Sequence, residues 1–407
     1  MIGLSDLARR FGRITSGRSY VPQIDGLRLL SLLAILVFHA ALQGARNSAD
    51  PAAGEQLLYT RLPAGYFAVQ LFFFISGYII SYPFLANRPP SLGNFYKRRL
   101  LRLEPPYIVA MLGCFLILTQ YTPTPINAPN FTFTTAPLWQ SLLASLTYTH
   151  SLIFGEHPKL NPPTWTLERE IQFYLLAPFL VRAYLLIKRR DVRLYLGGVL
   201  CLILVIAGHV IDASFAWEHP LRHTLLADSY GFALGILTCD YFVAAQPFAQ
   251  PAQRRYDLCL AVGYIGLIAT GLFEYKLSLP GAIVNTIVRA VCILLVFIGA
   301  ARGPMSRAFL SAPWITLIGG ACYSIYLVHL PLMHAGAQII APVLRPTSPA
   351  VAMAICWAVL IPFSIAGGMI FYACIERPCM RHDWPRDLVQ ATKAWWARWR
   401  SRRVAAS

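Results

Sequence analysis

The sequence predicts an all-α, polytopic integral membrane protein with about ten transmembrane helices and both termini on the cytoplasmic side. Three observations carry this. The 407 residues are 57% hydrophobic and only 13% charged, with a mean hydropathy of +0.53, whereas soluble domains are about one quarter charged. Runs of about 18 to 25 mainly apolar residues, long enough to cross roughly 30 Å of hydrocarbon, lie near 26–43, 64–86, 103–121, 171–187, 194–212, 223–245, 256–273, 281–301, 315–341 and 350–375. The 35 Lys and Arg residues fall in short clusters between these runs.

Those clusters orient the chain, because Lys and Arg are retained on the cytoplasmic side. With the N-terminus inside, the inner segments hold 25 basic residues and the outer loops hold six. The net charge of +17 therefore reads as membrane topology, and no nucleic-acid partner is expected. The stretch 136–154 is also apolar, but a span there would put the basic cluster 188–193 outside. It is expected to lie at the interface or to re-enter.

The first run retains Arg28 and His39 and has no small-residue cleavage site after it, so it is read as a helix and not a leader. The nine cysteines lie mostly inside apolar runs without a C-x-x-C pair, which indicates neither a disulfide framework nor a metal site. Three parts are expected: a basic cytoplasmic segment 1–22, a ten-helix membrane domain 23–376, and a basic tail 377–407. The tail, with Trp395, Trp396 and Trp399 among its arginines, has the amphipathic character of a segment lying on an anionic inner leaflet.

Ionisable residues in apolar runs are expensive and mark functional candidates. Arg28 and His39, eleven residues apart, share a helix face at a separation of about 16 Å. Arg28 is expected near the cytoplasmic surface and His39 towards the outer half. The second run descends into Lys97, Arg98, Arg99 and Arg102, just before Glu104-Pro105-Pro106 opens the third. This cluster can neutralise phosphates or merely fix topology.

The fourth run is preceded by NPPTWTLERE, where Glu170 enters the helix at the outer side beside Trp165 and Tyr174. Glu168, Arg169 and Glu170 could equally form a solvated first turn. The ninth run, ACYSIYLVHLPLMH, brings His329 to the depth of His39, which suggests a shared cavity. Alternatively, His329 satisfies a carbonyl freed by Pro331.

Together these stretches resemble the acyltransferase 3 family of bacterial membrane-bound O-acyltransferases. The motifs run in family order: DGLR with Arg28 and His39, FFFISGY containing Ser76, RRLLRLEPPY, WTLEREIQFY, YSIYLVHLP and a closing Glu-Arg-Pro at 376–378. The resemblance implies transfer of an acyl group, by family default acetyl, from acyl-CoA to a hydroxyl of a cell-surface or exported carbohydrate, in some members of a macrolide.

On matching positions it implies His39 and Glu170 as catalytic, Arg28, Arg99 and Arg102 as acyl-CoA contacts, and Asp25, Ser76, Trp165, Tyr323, Tyr326 and His329 as supporting or acceptor-side residues. It implies no metal. Thr166 stands where Ser is usual, and Arg169 where an apolar residue is usual. The expected partners are the bilayer of the bacterial inner membrane and a glycan or lipid-linked sugar acceptor, without a fused esterase-like domain. A transporter of an anionic or sugar-linked substrate is the alternative from another class.

The charge count makes a direct prediction. A reporter fused after Lys159 reads as external, and a cytoplasmic reading reverses the assigned orientation.

Overall fold

The computed structural model describes residues 20–120, 137–274 and 276–381, together with Gly12, Trp384 and Trp396. The expectations for most of 1–19 and for most of the tail beyond Arg381 fall outside the described residues.

The described chain is all-helical. It begins with α1 (Pro22–Arg46), α2 (Pro51–Arg61), α3 (Tyr66–Leu85) and α4 (Leu92–Gln120). Two short helices follow, α5 (Leu138–Leu146) and α6 (His150–Phe154), then α7 (Trp165–Tyr184) and α8 (Arg190–Ser214). Next come α9 (Leu225–Asp228), α10 (Tyr230–Phe242), α11 (Arg255–Leu272), α12 (Leu279–Arg302) and α13 (Pro304–Leu310). The order closes with α14 (Pro313–Gly320), α15 (Cys322–Leu344) and α16 (Pro349–Phe371), which runs on through a π turn (Tyr372–Glu376) into the short α17 (Arg377–Cys379). Many of the helices start on a proline in the first turn, where its missing N–H would be unsatisfied anyway.

Each of the ten apolar runs overlaps a helix. Among the described residues, eight of these helices are long and apolar enough to span a bilayer: α1, α3, α4, α8, α11, α12, α15 and α16. The other two depart for visible reasons. Helix α10 has only 13 residues, and α7 carries Glu168, Arg169, Glu170 and Arg182. The stretch 136–154 forms no span; α5 and α6 have nine and five residues.

Helices α1 and α3 form the centre. Of their spanning windows, 61% and 72% are buried inside the protein, against 22–44% for the other six. The outer helices direct Leu, Ile, Val and Phe outward, as at Leu116, Ile203, Ile265 and Ile370. In lipid such a surface is at no disadvantage, so helix association depends on close packing and polar contacts. Gly77 on α3 and Gly235 on α10 supply the first. A Cβ at Gly77 would lie 2.3 Å from the Phe232 carbonyl oxygen, and one at Gly235 would lie 2.3 Å from that of Phe74.

Two expected runs are broken. The 315–341 run divides into α14 and α15 at Ala321, and Gly319 at the break is pressed so closely on α1 that a Cβ would fall 1.9 Å from the Asp25 carbonyl oxygen. The 223–245 run divides into α9 and α10, which brings Asp228 into the interior.

Glu104-Pro105-Pro106 does not open a helix as expected. Helix α4 starts at Leu92 and passes through both prolines. Pro105 has no N–H for the Leu101 carbonyl, and the indole Nε1 of Trp384 donates to that oxygen at 3.1 Å. The indole thus supplies the hydrogen bond that the proline cannot.

The α3–α10 contact yields a stability prediction. Gly77→Val forces the two backbones apart and costs about 1–3 kcal/mol, read as a lowered thermal midpoint of the solubilised protein. An unchanged midpoint contradicts the close approach.

Candidate active site

The site begins with helix periodicity. Eleven residues along α1 return to the same face, so Arg28 and His39 both point towards α3, α7 and α15 from opposite ends of α1. Two cavities lie there. The first, about 350 Å³, is lined by Arg28, Arg98, Arg99, Arg102, Ser76, Glu170, Tyr174 and Tyr323. The second, about 670 Å³, is lined by His39, Arg46, Trp165, Arg169, Trp217 and Asp228 among others. Ile35, Val69, Thr166 and Tyr326 line both, so one layer of side chains separates an arginine cavity from a histidine cavity.

In the arginine cavity, Arg28 Nη1 donates to Asp25 Oδ1 at 2.7 Å, and the Tyr20 hydroxyl donates to the other Asp25 oxygen at 3.0 Å. Asp25 is buried and does not line the cavity; it anchors Arg28. Arg102 lies 3.7 Å from the buried Glu376, which accepts from Ser324 Oγ at 2.6 Å. Arg99 stacks over the rings of Phe95 and Tyr174, 4.6 Å from each centroid. Four guanidinium groups thus line this cavity against one carboxylate, Glu170. Tyr323 donates to the Leu103 carbonyl at 2.9 Å, tying α15 to the arginine-bearing turns of α4.

Glu170 accepts from Ser76 Oγ at 2.6 Å and from the Tyr174 hydroxyl. It was expected at the outer side, and it lines the arginine cavity and not the cavity of His39. The reason lies in α7: Thr166, Glu170 and Tyr174 form one i, i+4 stripe, whereas Trp165 and Arg169 form the adjacent stripe. Glu170 and Tyr174 of the first stripe face the arginine cavity, the second stripe faces the histidine cavity, and Thr166 reaches both. Nor is the start of α7 a solvated turn, since Glu168 is 0% and Arg169 3% exposed. Arg169 Nε donates to Asp228 Oδ2 at 2.6 Å, and Tyr66 donates to the other Asp228 oxygen at 2.7 Å.

His39 and His329 meet directly, with Nδ1 of His39 2.8 Å from Nε2 of His329 and ring planes 9° apart. His329 is fully buried and, contrary to expectation, shares no cavity with His39; only His39 reaches the cavity wall. Nδ1 of His329 lies 2.6 Å from the Tyr326 carbonyl oxygen. A carbonyl only accepts, so this nitrogen carries a proton. In a neutral imidazole Nε2 is then the acceptor, and His39 donates to it from Nδ1. Two hydrogen bonds therefore fix both tautomers and leave His39 Nε2 with its lone pair free.

The carbonyl freed by Pro331 is that of Leu327, four residues earlier. It is satisfied by Asn161 Nδ2 at 2.7 Å, not by His329. Asn161, like the Arg169–Asp228 pair, escaped the sequence reading. A proline inside a long apolar run does announce an unpaired carbonyl, but nothing local says which distant donor fills it. Tyr326 donates to the Pro163 carbonyl at 2.7 Å and lies 2.7 Å from Thr166 Oγ1, so the NPPT segment is held against α15 at both ends.

The chain is 25% identical over 349 residues to the O-acetyltransferase OatA of Staphylococcus aureus strain NCTC 8325, an alignment covering 80% of this chain and 52% of that protein. It is 27% identical over 354 residues to the peptidoglycan O-acetyltransferase OatA of Listeria monocytogenes serovar 1/2a, covering 82% and 52%. The chain thus spans about half the length of the curated relatives it matches. No solved structure matches it. An acyltransferase domain of the acyltransferase 3 type matches residues 21–372, the stretch that holds both cavities and the histidine pair, and the chain belongs to the acyltransferase 3 family.

Proposed function

We propose that this multi-pass protein of the bacterial inner membrane transfers an acyl group, acetyl by likeness to its relatives, from cytoplasmic acyl-CoA to a hydroxyl of a glycan on the outer side. The observation that carries the reading is the pair of cavities meeting at Ile35, Val69, Thr166 and Tyr326. One is rich in arginine at the end assigned to the cytoplasm, and the other presents a histidine with a free nitrogen.

Arg28, Arg99 and Arg102 hold the donor's phosphates in this reading, since guanidinium groups pair with phosphate through parallel N–H bonds. The pantetheine arm runs along α1 towards the shared layer, a distance of the order of the Arg28-to-His39 rise, about 16 Å. Glu170, held by Ser76 and Tyr174, lines that path beneath the thioester as a positioning carboxylate.

His39 Nε2 accepts the proton of the acceptor hydroxyl as the oxygen attacks the thioester carbonyl. The C–S bond then breaks, and the imidazolium returns the proton to the leaving thiolate, which gives the ester and free CoA. While His39 is charged, His329 Nε2 remains an acceptor for its Nδ1–H, so the pair needs no rearrangement during the step.

General-base catalysis contributes about 10²–10⁴-fold. In membranes supplied with labelled acetyl-CoA, His39→Ala lowers transfer by about that factor at normal expression. His329→Ala lowers kcat with little change in KM for acetyl-CoA, and His329→Gln, which keeps an acceptor, recovers part of the loss. Transfer undiminished in His39→Ala excludes the mechanism.

A further inference from the structure

The two cavities differ in how their charges are arranged. In the histidine cavity, Arg46, Arg169 and Arg222 face Asp212, Asp228 and Glu274, and each guanidinium has a carboxylate. Arg169 pairs with Asp228 at 2.6 Å, Arg222 with Asp212 at 3.1 Å, and Arg46 with Glu55 at 3.0 Å. Glu274 is paired with the buried Arg289. Three cations against three anions line this cavity, where four cations against one anion line the other.

Two indoles, Trp165 and Trp217, stand on the remaining walls. Trp217 is 41% exposed, with Arg222 over its ring 5.1 Å from the centroid. His157 makes edge contact with Trp217 and stacks on Trp165, with centroids 5.1 and 5.6 Å apart. Arg169 lies over Trp165 at 4.9 Å. The indoles are thus held in place by cations already neutralised elsewhere. One polar group stays open: Arg169 is 3% exposed, and its Nη1 has no hydrogen-bond partner among the described residues.

We infer that the histidine cavity binds an uncharged saccharide unit. The inference rests on reading that cavity as the acceptor side, and it narrows the acceptor to sugars without a carboxylate or phosphate on the unit that enters. A volume of about 670 Å³ lies within the roughly 300–1,000 Å³ of ligand pockets. Aromatic rings offer an apolar face to the C–H face of a pyranose, and the paired charges supply fixed donors and acceptors to its hydroxyls. Arg169 Nη1 is a buried N–H suited to a ring or hydroxyl oxygen.

An anionic sugar would enter next to Asp212, Asp228 and Glu274, where each lining guanidinium is already paired with a carboxylate. Its carboxylate would lose water without gaining a counter-charge, and juxtaposed like charges select against a ligand. A diphosphate-linked sugar could place only its sugar here.

Binding to the full chain in lipid nanodiscs, measured by calorimetry without acyl-CoA, tests this. The probes are neutral tetrasaccharides of glucose and of N-acetylglucosamine, set against tetragalacturonate and a hyaluronan tetrasaccharide. At least one neutral probe binds, Trp217→Ala weakens it about fivefold or more, and both anionic probes bind at least tenfold more weakly. Asp212→Asn, which releases Arg222, narrows the gap. Anionic probes binding as tightly as neutral ones overturn the inference, as does absence of neutral binding or its indifference to Trp217→Ala. No donor is present, so failure here leaves His39-dependent transfer standing, and loss of that transfer leaves the binding preference standing.

Discussion

The hydrogen bond from His39 to His329 is the contact on which the rest of the site depends, and its direction is set outside the imidazoles. It runs from the Tyr326 carbonyl through His329 to His39 over 2.6 and 2.8 Å. A backbone carbonyl cannot donate, so one fixed end orders the whole chain and delivers an unprotonated Nε2 to the cavity. The carbonyl is held in turn by α15, whose interruption at Pro331 is made good by Asn161. Tyr326 also fixes the shared layer through Pro163 and Thr166. One turn of one helix thus sets both the protonation pattern of His39 and the wall between the cavities.

A bilayer gives helices little reason to associate through apolar area alone, so polar contacts join the helices, those of the site lying on α1, α3, α7 and α15. The Arg169–Asp228 pair, both partners buried, joins α7 to α9. Losing one partner of such a pair would strand a charge, at a cost of about 3–5 kcal/mol. The same contacts give the two cavities different electrostatics. Four guanidinium groups and one carboxylate, Glu170, line the first, with Asp25 and Glu376 holding Arg28 and Arg102 from behind its wall, as suits a polyphosphate donor. In the second, each arginine is already matched, and the walls are indoles and phenols.

Much of the architecture was legible in the sequence because the bilayer imposes a length and a hydropathy on each element. The apolar runs coincide with helices, and Arg28 and His39 could be placed on one face from their spacing. His329 was marked as an ionisable residue at the depth of His39, although its burial away from the cavity was not. Relations between helices were less readable. The side of α7 on which Glu170 falls depends on how that helix is rotated, and a one-residue step separates Glu170's stripe from Arg169's. The donors for the carbonyls freed by Pro105 and Pro331, Trp384 and Asn161, are 283 and 166 positions away from those carbonyls in the chain, and no local pattern points to them.

The tautomer of His39 is the most direct measure of the account. With ¹⁵N-labelled histidine in lipid nanodiscs and His39→Gln as the assignment control, one-bond ¹⁵N–¹H couplings and nitrogen shifts identify which ring nitrogen bears the proton. The expected result is a proton on Nδ1 and a bare Nε2 for His39 near neutral pH, with the same pattern for His329. A proton on His39 Nε2, or a pattern unaffected by His329→Ala, would contradict it.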